Sequence, residues 1–141
     1  MPASIAILKP VVVLLVWSMV IWLLTLATRI PAMRAMKIRL DPTIPPKELT
    51  RDLPASVRWK ADNYNHLMEQ PTVFYAAAIV MAITNPADSL AANMAWCYVI
   101  LRILHSLVQI TFNHILTRLA LFVVSSCTLI VLIERAVSSV M

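Results

Sequence analysis

Four stretches of this chain are apolar for long enough to cross a lipid bilayer. Residues Pro10 to Thr28 form an uncharged run of nineteen, which at about 1.5 Å per residue matches a hydrocarbon core of about 30 Å. The first span is placed at about 5–28, with Lys9 and Pro10 in its opening turns. No short apolar segment followed by a small-residue cleavage site stands out, so the pattern reads as an uncleaved signal anchor. Residues 71–87 are uncharged too, but the run is short and closes on the turn formers Thr84, Asn85 and Pro86. Its helix therefore begins earlier, near Ser56, and carries Asn65, His66 and Glu69 toward the membrane. The second span is placed at 66–86, with a kink expected where Pro71 has no N–H to offer the carbonyl of Leu67. From Ser89 to Ile133 the only permanent charges are Arg102 and Arg118. That length holds two spans, about 89–110 and 115–135, with a turn at the polar cluster Thr111, Asn113 and His114.

Between the first two spans the pattern changes. Eight of the twelve Lys and Arg lie within residues 29–60, opposed by Asp41, Glu48 and Asp52, so this stretch carries the whole net charge of +5. Its prolines (Pro31, Pro42, Pro45, Pro46 and Pro54) argue against one continuous helix, and it reads as a single basic loop. A positive connector between apolar spans is the signature of a cytoplasmic loop. Both termini are then non-cytoplasmic, and a bacterial inner (plasma) membrane is the expected location. The same localisation of charge explains the basic balance without nucleic acid, which is not an expected partner.

Composition agrees with this reading. The 141 residues are 60% hydrophobic and 13% charged, against about 25% charged in soluble domains, which excludes a soluble globular enzyme. The fold class is an all-α integral membrane protein, one four-transmembrane-helix bundle over residues 1–141 surrounded by membrane lipids. Cys97 and Cys127 lie in apolar stretches with no CxxC spacing, as small hydrophobes do. The chain has no glycine, which removes glycine-dependent phosphate loops and the GxxxG helix contact.

Charged groups inside membrane helices are costly and therefore informative. Tyr98, Arg102, His105 and Gln109 share one face of the third helix at i, i+4, i+7 and i+11, with Ser106 and Asn113 beside them. Asp62, Asn65, Glu69 and Thr72 share one face of the second. Antiparallel helices bring both stripes to the cytoplasmic ends, where Glu69 is expected to pair with Arg102. Such a pair could simply fix helix register, or it could belong to a polar pocket for a small anionic or amphiphilic molecule. Arg118 opens the fourth helix as a phosphate-facing anchor or a pocket wall. No metal site is expected. Haem ligation by His66, His105 or His114 would need two of them facing across helices.

The segment Arg58-Trp-Lys-Ala-Asp-Asn-Tyr-Asn-His-Leu-Met-Glu-Gln-Pro-Thr-Val-Phe-Tyr75 resembles the start of the second helix in MAPEG proteins, the membrane-associated proteins in eicosanoid and glutathione metabolism. A second resemblance runs from Ala95-Trp-Cys-Tyr-Val-Ile-Leu-Arg102 through His105-Ser106 to Arg118. It implies a divergent bacterial-type member whose four-helix protomers form a homotrimer, with glutathione in a charged pocket between subunits. Glu69, Arg102, His105 and Arg118 fall on family positions, and Arg29 matches a basic residue at the end of the first helix. The departures are Gln109 where the family has Tyr, and Asp62 and His66 where it has Arg and Asn.

Two functions follow from this resemblance. The first is a glutathione-dependent transferase or peroxidase on lipophilic substrates. Arg102 and Arg118 would supply the catalytic charge, and Arg29, Asn65, Glu69, His105 and Gln109 would hold the cofactor glutathione. The second is a non-catalytic membrane scaffold, lipid-binding protein or accessory subunit of a larger membrane complex.

Overall fold

The computed structural model describes residues 4–85 and 88–141, so the expected turn residue Pro86 lies outside the described residues. The elements in chain order are α1 (Ser4–Ala35), α2 (Pro46–Leu49), α3 (Ala55–Met68), α4 (Gln70–Thr84), α5 (Ser89–Thr111) and α6 (Ile115–Val140). Helices α3 and α4 together make one apolar crossing, so four segments are long and apolar enough to span a membrane. The chain is an all-α membrane bundle.

One boundary differs from the sequence expectation: helix α1 continues through Arg29 and Pro31 to Ala35. Helix α3 begins at Ala55, beside the expected Ser56, so the connector between the helices runs over residues 36–54. Pro31 did not end the helix because it removes only one backbone bond, to the carbonyl of Ala27. In membrane helices such a carbonyl is readily satisfied by other groups. The chain then leaves α1 through a Schellman-type turn: Lys37 N–H donates to Arg34 O at 3.0 Å and Ile38 N–H to Met33 O at 3.1 Å. Lys37 takes φ 52° there, a position usually filled by glycine.

The expected kink is present. Helix α3 stops at Met68, Glu69 departs from helical geometry (φ −90°, ψ −97°), and α4 restarts with Pro71 in its first turn, where a missing N–H costs nothing.

The core is one seam between the four crossings. Ile7, Leu14 and Ile21 come inward from α1 at seven-residue intervals, and Phe74, Ala78 and Met81 meet them from α4. Helix α5 contributes Ala91, Ala95, Tyr98 and Val99, and α6 contributes Leu129 and Leu132. The Phe74 ring stacks on Tyr98 with centroids 4.6 Å apart. Alanines at 77, 78, 91 and 95 allow close helix approach in place of the missing glycines. The outward face is apolar: Val12, Val16, Leu23, Ile83, Leu116 and Ile130 are all exposed, as lipid contact requires.

At the end of the bundle away from the basic loop, Asp88 caps α5 by accepting from Ala91 N–H at 3.0 Å. Its other oxygen receives Arg135 Nε at 2.8 Å and Nη2 at 2.7 Å, which ties α5 to α6.

Candidate functional site

The polar residues gather at the opposite end, where α3 and α6 begin and α5 finishes. The face of α3 that reads Trp59, Asp62, His66, Glu69 turns toward the last turns of α5 and the first turn of α6. Together they enclose a polar cavity of about 260 Å³ lined by Trp59, Asp62, Asn65, His66, Glu69, Gln109, Asn113 and Arg118, with Lys47 reaching in from α2.

Local structure fixes Arg118. The turn after α5 places Asn113 at φ 51°, a left-handed position that Asn tolerates better than most residues. Its backbone N–H reaches back to Val108 O at 2.8 Å. Its Oδ1 then accepts from Arg118 Nη1 at 2.6 Å. His114 caps α6, its Nδ1 accepting from Thr117 N–H at 3.4 Å. The guanidinium is thereby held at the cavity wall by a residue on its own turn. Arg118 Nε and Gln109 Oε1 are both buried and lack a partner, a donor and an acceptor at the same cavity.

A second cavity of about 260 Å³ adjoins the first, lined by His66, His105, Ile115, Arg118, Leu119 and Phe122. Ile115 and Leu119 are exposed on α6, so this cleft opens on the apolar outer face of the bundle. His66 and Arg118 line both cavities.

The expected Glu69–Arg102 pair does not form within the chain. Glu69 stays largely exposed and sits 3.3 Å from His66 Nδ1. Arg102 is buried and donates from Nη2 to the backbone carbonyl of His66 at 3.0 Å. The break after Met68 explains this partner, because the last carbonyls of α3 have no helical donor. The remaining guanidinium lies among rings, 5.9 Å from the Tyr98 centroid and 5.6 Å from that of Phe122, and its Nε and Nη1 are unpartnered. Arg102 lines neither cavity; it stands behind Phe122.

A neighbouring knot holds α3 and α1 onto α5. Ser106 Oγ accepts from Asn63 Nδ2 at 2.6 Å and from Trp17 Nε1 at 3.0 Å. Gln70 does the same for α4, donating to Ser126 Oγ at 2.9 Å while accepting from Tyr98 OH at 3.4 Å.

The profile of the MAPEG family matches residues 7–138. The chain belongs to the MAPEG family. No curated protein and no solved structure matches it.

Of the residues singled out from sequence, this MAPEG chain brings Asn65, Glu69, Gln109 and Arg118 to the polar cavity, and His105 to the adjoining cleft. Arg29 is elsewhere, in a separate cavity with Lys47, Arg51 and Arg58. Sequence reasoning missed Lys47, which lies in the loop where no periodicity points at a partner. It also missed Trp59, three residues before Asp62 on the same face of α3, although that spacing was legible.

Proposed function

We propose that this MAPEG protein is a glutathione-dependent transferase or peroxidase acting on lipophilic substrates, working as a trimer with its basic loop on the cytoplasmic face of a bacterial inner membrane. The observation that supports this reading is the meeting of a polar cavity and a lipid-side cleft at one cation, Arg118. A water-soluble co-substrate and a membrane-dissolved one could reach that cation from opposite sides.

The polar cavity fits a zwitterionic thiol tripeptide. Lys47 and Arg118 suit its carboxylates, Asp62 and Glu69 its ammonium group, and Asn65 and Gln109 its peptide groups. The unpartnered Gln109 Oε1 and Arg118 Nε match an N–H and an anionic oxygen of such a ligand. Bound glutathione would supply a thiolate, the reactive form of the sulfur toward electrophiles and peroxides. Arg118 holds a positive charge where that anion would be stabilised. Arg102 adds a second charge from behind Phe122, so its catalytic part would be electrostatic rather than by contact. Phe122 and Leu119 exclude water from the lipid side of the cation.

The test is turnover of a lipophilic aryl halide or fatty-acid hydroperoxide by purified protein with glutathione. R118Q should lower kcat/KM by about ten- to a hundredfold, the range for losing a hydrogen bond to a charged group, with the melting temperature kept. Wild-type protein that neither binds glutathione in calorimetry nor turns over either substrate would sink the proposal. That result would favour the scaffold, lipid-binding or accessory-subunit reading, to which Gln109 in place of a phenol already lends support.

A further inference from the structure

We propose that the cavity ringed by Arg29, Lys47, Arg51 and Arg58 is a binding site for a phosphate group at the membrane interface. The cavity measures about 290 Å³ and lies between the end of α1, the short α2 and the start of α3. Four cations line it against a single acid, Asp62. Among the described residues none of the four cationic side chains forms an ion pair. Like charges gathered round one cavity repel, and an anion seated among them reverses the sign of every one of those interactions.

Geometry favours phosphate over a smaller anion. Three of the four are arginines, whose planar forks meet phosphate oxygens two at a time. The three come from separate places: Arg29 from α1, Arg51 from the turn after α2, and Arg58 from the first turn of α3. They can therefore approach one tetrahedral group from several sides.

Location adds the second half of the argument. Arg29 directly follows the uncharged run that ends at Thr28, which puts it where hydrocarbon gives way to headgroups. The cavity lining also includes the apolar Leu53, which is buried, with Val57 and Ala61. A phosphate carrying an apolar portion suits this mixture of cations and apolar side chains, and basic pockets between membrane helices are characteristic headgroup sites. The same chemistry would also take a phosphate monoester from solution. Lys47 and Asp62 line both cavities, but Arg29, Arg51 and Arg58 line this one and not the polar one, so the inference stands without the transferase reading.

The experiment uses the full chain in nanodiscs of phosphatidylcholine, with either phosphatidylglycerol in the bilayer or inorganic phosphate in the buffer. Bound lipid is counted by native mass spectrometry and stability followed by thermal melting. Wild type should retain phosphatidylglycerol with saturable stoichiometry and melt higher in its presence. R51Q/R58Q should weaken that binding by about 30-fold, or about 2 kcal/mol at 1.4 kcal/mol per decade. R51K/R58K, which keeps both charges but loses the bidentate forks, should bind more tightly than R51Q/R58Q and less tightly than wild type, and it guards against loss of fold. R34Q/R39Q removes the same charge outside the cavity and should change binding less than about threefold, as screened distant charges do. Should inorganic phosphate alone raise the melting temperature, and R51Q/R58Q abolish the effect, the source is a soluble phosphate and the site stands. Absence of any response to either anion would overturn the proposal. So would an equal loss in R34Q/R39Q, which would mean diffuse charge rather than a site.

Discussion

Ser106 Oγ accepts from donors on two different helices, Asn63 of α3 and Trp17 of α1. Ser106→Ala leaves both N–H groups facing a methyl, and a stranded buried donor costs about 1–3 kcal/mol. Membrane interiors sit at the low end of such values, so a loss of about 1–2 kcal/mol in a reversible detergent-unfolding titration is expected. Arg102 and Glu69 make the opposite case. They were expected to pair, yet each instead finds His66, Arg102 at its carbonyl and Glu69 at its ring. The two are linked through His66 without touching, so a double-mutant cycle of Arg102→Leu and Glu69→Leu should show a modest coupling of about 0.5–1 kcal/mol. A coupling above about 3 kcal/mol in that cycle would show instead that the two side chains meet directly. Among the described residues, two left-handed positions are filled by Lys37 and Asn113, at a cost of about 1–2 kcal/mol for an ordinary side chain, and Asn113 uses its side chain to hold Arg118.

Helix ends decide where the functional groups stand. The break at Glu69 frees the carbonyl that holds Arg102, and the turn at Asn113 sets Arg118 at the junction of the two cavities. The break was legible from Pro71, because a missing N–H is a property of the residue itself. Its consequence for Arg102 was not, since a backbone acceptor carries no mark in the sequence. At the other end of the bundle, Asp88 starts α5. Its carboxyl is held below the usual value, first by the Ala91 N–H that it caps and then by Arg135. A lowered folded-state pKa gives stability that is complete above the unfolded value of about 3.9 and is lost as pH falls through the lowered one. Wild-type melting temperature should accordingly fall as pH is taken from about 5 to about 3. Asp88→Asn keeps a capping oxygen but has no charge to lose, so its melting curve should be flatter over that window. An identical acid response in both proteins would assign the effect to other carboxylates.

The whole molecule presents apolar faces outward all round, with its polar cavities at one end. A cysteine introduced at Lys47, in a chain with Cys97 and Cys127 replaced, should react with a membrane-impermeant maleimide only after permeabilisation if the basic loop is cytoplasmic. Labelling in intact cells would invert the orientation. Mass measurement in mild detergent should give three copies; a stable monomer would count against the trimer, and a stoichiometric foreign chain would point to an accessory subunit. At this scale the division between sequence and structure is plain. Four crossings and the membrane environment were already set by runs of apolar residues, because burying backbone in lipid leaves almost no alternative to helices. Helical spacing alone put Asn65 with Glu69 and Arg102 with His105 on common faces. Which faces then meet is settled by packing between crossings distant in sequence. Only the folded bundle could turn Glu69 away from Arg102, send Arg29 to a second basic cavity, and bring Lys47 from a loop to the side of Arg118.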